Sequence, residues 1–134
     1  MKIIRVTNPE ISIPLLPWFA EAEGELSREE CAEALRILMT EMPDDTCVLV
    51  ATDKGYMKAM IIGYMEDGNL WSWQGRKSKD FRSYGLLWNK LHQWGRAKGA
   101  TKSTLGCECK RRRRLYKRKY GYKSIDGKYM EKAI

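Results

Sequence analysis

The chain has 134 residues, with 25 Lys and Arg against 17 Asp and Glu, giving a formal net charge of +8. That length lies within the roughly 100–200 residues of one domain and can bury a core without disulfide or metal staples, so a single domain over residues 1–134 is expected. No apolar run approaches the ~18 residues of a membrane span and the opening MKIIRVTNPE is too polar for a secretory core, so the expectation is a cytoplasmic protein with no membrane partner.

Four cysteines (Cys31, Cys47, Cys107, Cys109) lack the CxxC spacing of zinc or redox knuckles, and His92 is the sole histidine, so no metal site is expected. The thiols read as reduced core or site groups. Charge is uneven: residues 1–75 hold 6 basic and 13 acidic side chains, residues 76–134 hold 19 and 4. A clustered positive field favours a phosphate-bearing or acidic partner, unless the two halves neutralise each other.

Lys2 to Val6 predicts a short strand. Pro9, Pro14 and Pro17 then precede a first helix containing Trp18, Phe19 and Ala22. Ser27-Arg28-Glu29-Glu30 has the form of a capping box, and Cys31, Leu35, Leu38, Met39 and Met42 form one apolar stripe before Pro43-Asp44-Asp45 stops the second helix. From Thr46 the period changes to two. TCVLVAT, MKAMIIGYM and LWSWQ, joined at Asp53-Lys54-Gly55 and Glu66-Asp67-Gly68-Asn69, predict an antiparallel meander.

Phe81 to Lys98 returns to helical period, with Tyr84, Leu87, Trp88, Leu91 and Trp94 on one side and Gly99 as the stop. His92 lies at the edge of this stripe without a nucleophile or metal partner nearby in sequence, as a packed or solvent-tipped side chain does. A strand TKSTLG, a basic helix from Lys110 to Tyr120 closed by Gly121, and two strands joined at Asp126-Gly127 complete the chain. The order β-α-α-β-β-β-α-β-α-β-β specifies a mixed α/β sheet, with one parallel pairing from the strand–helix–strand passage near residues 70–105.

This order, the tail LYKRKYGYKSIDGKYMEKAI and the segment WGRAKGA at positions 94–100 resemble the GNAT acyltransferase superfamily over nearly the whole chain. The resemblance implies a GNAT-like fold and an N-acyltransferase moving an acetyl group from acetyl-CoA to an amine of a small molecule or protein. It implies that the fourth and fifth strands splay, that pantetheine pairs with the backbone of Trp73, Gln74 and Gly75, and that a pyrophosphate meets a helix starting near Phe81.

The sequence departs from the family at two places. Counted back from Gly99, the Gln/Arg-x-x-Gly-x-Gly/Ala loop falls on Lys79-Asp80-Phe81-Arg82-Ser83-Tyr84, with Arg82 and Tyr84 at the small-residue positions, where a Cβ opposes close approach of phosphate to backbone. Arg76, Lys77, Lys79 and Arg82 offer side-chain charge in its place, or form a solvated basic loop. The family's acidic tyrosine corresponds to Lys117, with Tyr116 one residue out of register. An extra residue before Gly121 would restore Tyr116 as the acid for the leaving thiolate; otherwise Tyr116 packs against the sheet. The fourth strand has no carboxylate, so Glu108 is the candidate base, or an ion-pair partner for nearby arginines. Cys107 and Cys109 flank it beside a positive run that lowers thiol pKa.

Lys110 to Arg114 with Lys117, Arg118 and Lys119 places eight like charges on one helix, more than a solvated face requires. The counter-charge is nucleic acid, an acidic protein, this chain's own acidic helices or the phosphates of coenzyme A. Tyr116, Tyr120 and Tyr122 either stack on bases or are buried. The degenerate loop resembles small GNAT-like proteins of bacteriophages, some of which serve a virion or host-interaction role. The alternative to catalysis is therefore a binding or virion-associated protein acting through residues 110–119, in the host cytoplasm. Glu21, Glu23 and Glu25 hint at cationic acceptors, and a homodimer is left open.

Overall fold

The computed structural model describes residues 1–15, 27–78, 80–107 and 109–134. In chain order these form β1 (Lys2–Val6), α1 (Pro9–Ser12), a 3-10 turn (Ile13–Leu15), α2 (Arg28–Glu41) and a second 3-10 turn (Pro43–Asp45). There follow β2 (Thr46–Asp53), β3 (Tyr56–Glu66), β4 (Asn69–Lys77), α3 (Tyr84–Ala97), β5 (Lys102–Gly106), α4 (Lys110–Tyr120), β6 (Lys123–Ser124) and β7 (Tyr129–Ala133). The expected helix with Trp18, Phe19 and Ala22, and the residues Glu21, Glu23 and Glu25, lie outside the described residues.

The capping box forms: Ser27 Oγ accepts from the Glu30 N–H at 3.1 Å and the Glu30 carboxylate accepts from the Ser27 N–H at 3.4 Å. Both bonds satisfy donors that a helix start leaves open. Two expected boundaries shift. β4 runs on to Lys77, so Arg76 and Lys77 belong to a strand rather than to the loop after it. The third helix starts at Tyr84, not near Phe81. Phe81 instead sits in a turn, its N–H donating to Ser78 O at 3.1 Å, with its ring buried in the core. The apolar period began there because Phe81 shares the buried face without sharing the helix.

The sheet order is β1-β2-β3-β4-β5-β7-β6, antiparallel everywhere except between β4 and β5. Alternation along β2 and β3 divides the core in two. Cys47, Leu49, Ala51, Ala59 and Ile61 face α3 and α4, while Val48, Val50, Met60 and Ile62 face Cys31, Leu35 and Met39 of α2. Inward-pointing side chains of period two on β and period 3.6 on α are what two-faced burial demands. On the α2 side, Tyr64 stacks on Trp71 (6.5 Å between ring centres) and Tyr129 meets Trp71 edge-on at 5.9 Å. Among the described residues no helix is long and apolar enough to cross a membrane.

α3 packs close because two glycines leave room for leucines. A Cβ on Gly63 of β3 would lie 2.7 Å from Leu91 Cδ1, and one on Gly95 of α3 would lie 2.8 Å from Leu70 Cδ2. Leu70 and Leu91 are fully buried, so neither has space to withdraw. A Gly63→Val substitution is therefore expected to overpack this seam and lower unfolding stability by about 1–3 kcal/mol in urea titrations, without changing the fold.

His92 is packed rather than solvent-tipped, at 4% exposure. Its Nε2 lies 3.2 Å from the Tyr122 hydroxyl, which lies 2.8 Å from Ser103 Oγ. Burial, with Lys132 and Arg96 adding like charge, pushes the imidazole down to about 4. The unfolded chain takes up this proton near pH 6.5, so stability is intact above that value and falls as pH drops from about 6.5 to about 4, by roughly 3 kcal/mol in all. His92→Gln cannot be protonated there, so its urea midpoint should change far less over this window than that of the parent.

Candidate active site at the β4–β5 opening

β4 and β5 pair in parallel only over Asn69↔Lys102, Leu70↔Ser103, Trp71↔Thr104 and Ser72↔Leu105. Beyond Ser72, β4 continues for five residues while β5 ends at Gly106. Opposite the opening, Gly75, Arg76 and Lys77 stay paired to Ile61, Met60 and Ala59 of β3. Between the pairs Gly63↔Ser72 and Ile61↔Gly75 the register shifts, so Trp73 and Gln74 together face Ile62. Such a bulge bends its strand, and here it falls where the two parallel strands part. The β5-facing backbone of Trp73, Gln74 and Gly75 thus has no strand partner among the described residues.

The Trp73 side chain packs on the α2 side, so only its backbone is offered to the opening. Ser72, at the last paired position, has a buried Oγ with no hydrogen-bond partner among the described residues. Nothing in the sequence distinguished this serine.

The passage from β4 to α3 is pinned at both ends. Ser78 N–H donates to Lys58 O at 2.7 Å, Lys58 Nζ meets Asp80 Oδ2 at 2.9 Å, and Ser78 Oγ donates to Asp80 Oδ1 at 2.5 Å. The Ser78 hydroxyl, followed by Lys58, holds the Asp80 carboxyl down to about 2. Lys77 Nζ donates to Phe81 O at 3.2 Å, which commits this cation to loop structure. Arg82 is exposed. Lys79 lies outside the described residues, as do the side chains of Gln74 and Arg76.

At the start of α3, Ser83 occupies the cap position but makes no side-chain capping bond, and no acidic residue stands in the first turn. The positive end of this helix dipole is therefore not compensated locally. The Tyr84 ring lies against Trp88, edge-on at 6.3 Å, so its bulk is directed to the aromatic core. Gly85, which sequence reasoning passed over, is the second helical residue, and a Cβ there would meet nothing within 4 Å. Its signal was present: read forward from the helix start, Arg82-Ser83-Tyr84-Gly85 supplies the Arg-x-x-Gly half of the loop pattern. The second small position then falls on Leu87, fully buried beneath α3.

Tyr116 is half-buried between α3 and α4, with ring centres 6.0 Å from Trp88 and 5.9 Å from both Tyr120 and Tyr122. α4 ends in a widened turn. Both the Gly121 and Tyr122 N–H groups return to Tyr116 O, five and six residues back, with Gly121 at φ +76°. An ordinary glycine-closed end returns the second of these bonds five residues back, so one extra residue is housed here.

Glu108 lies outside the described residues. Of its neighbours, Cys107 is buried and Cys109 is the exposed N-cap residue of α4. Arg113 anchors the junction, donating to Cys107 O at 2.6 Å and to Asp126 O.

No model of a known protein family and no curated protein matches the sequence. Solved structures do. An acetyltransferase from Streptococcus agalactiae aligns over 99% of this chain and 98% of its own, with TM-score 0.76 and 13% identity. The chain has the GNAT acetyltransferase fold. A GNAT-family acetyltransferase from Staphylococcus aureus Mu50 aligns over 98% of both chains (TM-score 0.71, 11% identity). The PaiA N-acetyltransferase of Thermoplasma acidophilum, solved in complex with coenzyme A, aligns over the full length of both (TM-score 0.68, 16% identity). The described elements follow the GNAT order inferred from the sequence, the expected helix with Trp18, Phe19 and Ala22 lying outside them.

The thiols of this GNAT fold differ in environment. Hydrogen bonds from the Arg112 and Arg111 N–H groups, with the charges of those arginines, lower the Cys109 pKa, whereas burial pushes Cys47 up to about 11. Since the thiolate is the nucleophile, iodoacetamide at pH 7.5 should modify Cys109 well before Cys31, Cys47 or Cys107, as read by peptide mass spectrometry of the native protein.

Proposed function

We propose that the chain is an N-acyltransferase that moves an acetyl group from acetyl-CoA to an amine of a small molecule or protein. The observation carrying this reading is the run of unpaired β4 backbone at Trp73, Gln74 and Gly75, opening beside the uncompensated start of α3. An extended chain bearing amides fits a strand edge of this kind. A pyrophosphate fits the first turn of α3, where Gly85 leaves space and Arg82 adds charge. The buried Ser72 hydroxyl at the apex has hydrogen-bonding capacity to spare for a ligand. Leu87 and the inward Tyr84 ring limit that phosphate contact to the first helical turn.

Acetyl-CoA supplies the activated acyl thioester. The amine nitrogen bonds to the acyl carbon, the carbon–sulfur bond breaks, and the nitrogen gives up a proton, for which Glu108 is the base. Tyr116 donates its phenolic proton to the departing thiolate. The extra residue in the α4 turn supports this role by moving Tyr116 one position relative to Gly121.

Tyr116→Phe removes the proton while keeping the ring contacts, so kcat is expected to fall about 10²-fold with KM for acetyl-CoA changed less than about twofold. Arg82→Glu should weaken acetyl-CoA binding roughly tenfold in calorimetric titration at moderate salt. Absence of binding by the parent protein would overturn the reading, and full activity in Tyr116→Phe would remove Tyr116 from it.

A further inference from the structure

α4 carries Lys110, Arg111, Arg112, Arg113, Arg114, Lys117, Arg118 and Lys119 among its eleven residues, with no carboxylate. The structure separates these cations by role. Arg113 is spent on the carbonyls of Cys107 and Asp126, Arg112 turns partly inward, and Lys119 lies over the Tyr120 ring at 5.5 Å. The side chains of Lys110, Arg111, Arg114, Lys117 and Arg118 are exposed and make no hydrogen bond or ion pair with the described residues. The acidic helix α2 lies on the opposite face of the sheet, so it does not neutralise them.

Their arrangement opposes helix formation. Lys110 and Arg114, and Arg114 and Arg118, repel at i,i+4 spacing, and Lys110, Arg111 and Arg112 occupy the positive end of the helix dipole. At the end of α4, Lys132 Nζ donates to Tyr120 O at 2.9 Å with Arg96 close enough to add like charge.

We propose that the exposed face of α4 is a nucleic-acid interface that grips the phosphate backbone. Lys110 to Arg118 spans about 12 Å along the helix, the reach of two to three phosphates on one strand. The composition of the face selects this partner. An amphipathic helix on a lipid surface needs an apolar side, and the apolar side of α4, Tyr116 and Tyr120, is turned into the core. A protein interface centres on apolar or aromatic anchors, and here only Leu115 stands among the exposed cations. The inward Tyr116, Tyr120 and Tyr122 are not available to stack on bases, and the exposed side chains are cations whose charge-assisted donors match phosphate oxygens, so the contact proposed is to the backbone.

The test uses the full chain with two fluorescein-labelled probes of mixed sequence, a 20-nucleotide RNA and a 20-base-pair DNA duplex, in anisotropy titrations from 50 to 200 mM KCl. Binding to either is expected, with a log–log salt slope of about −2 to −3 on the duplex and about −1.5 to −2 on the RNA from the two to three phosphates within reach. The variant R114Q/K117Q/R118Q should bind at least tenfold more weakly at 100 mM KCl, with the slope reduced to about −1. These side chains have no partners among the described residues to lose, so its circular dichroism should match the parent. No binding at 50 mM KCl, a flat salt dependence, or unchanged affinity in the variant would overturn the proposal. Displacement of the probes by polyglutamate at equal charge would also overturn it, in favour of an acidic protein partner.

Discussion

A strand inside a sheet must find partners for its N–H and C=O groups on two sides, and β4 keeps both sides only as far as Ser72. Up to that point it is held by β3 and by the single parallel pairing of the sheet. After it, the bulge at Trp73 and Gln74 and the short reach of β5 leave one side open while β3 still holds the other. The opening is therefore a rigid edge and not a loose strand end. It is flanked by the start of α3, which the pinned turn through Ser78, Asp80 and Phe81 sets in place.

The remaining architecture keeps this edge open. Gly63 and Gly95 let Leu91 and Leu70 interlock so that α3 lies close on β3 and β4. Trp88, fully within the α3–α4 seam, gathers Tyr84, Tyr116, Tyr120 and Tyr122 around it. Offset and edge-on ring contacts of this kind add directional preference to area burial, which fixes how α4 is seated. The same seating turns the aromatic side of α4 inward and leaves its cations outside. One packing decision thus places Tyr116 beside α3 and presents a charged face to solvent.

Much of the fold was legible because local signals agreed with one another. The Ser27–Glu30 capping box, the period change at Thr46, the turn residues before β3 and β4, and Gly99 and Gly121 as helix ends each appear where their chemistry requires. The site was less legible, for physical reasons. A bulge is a mismatch between two strands and has no signature in either alone. The start of α3 was obscured because Phe81 is buried by a turn, so its periodicity imitates one more helical turn. Counting back from Gly99 puts the loop pattern on Lys79 to Tyr84, whereas the helix itself begins only at Tyr84. The extra residue before Gly121 was anticipated as one of two readings, and only the paired bonds to Tyr116 O reveal it.

The central claim, that the unpaired edge of β4 receives acetyl-CoA, is tested most directly by amide hydrogen exchange with and without acetyl-CoA. The account expects slowed exchange among Trp73, Gln74 and Gly75 and in the first turn of α3, with the paired residues Asn69 to Ser72 unchanged. Exchange at Trp73 to Gly75 left unaltered by saturating acetyl-CoA would contradict it.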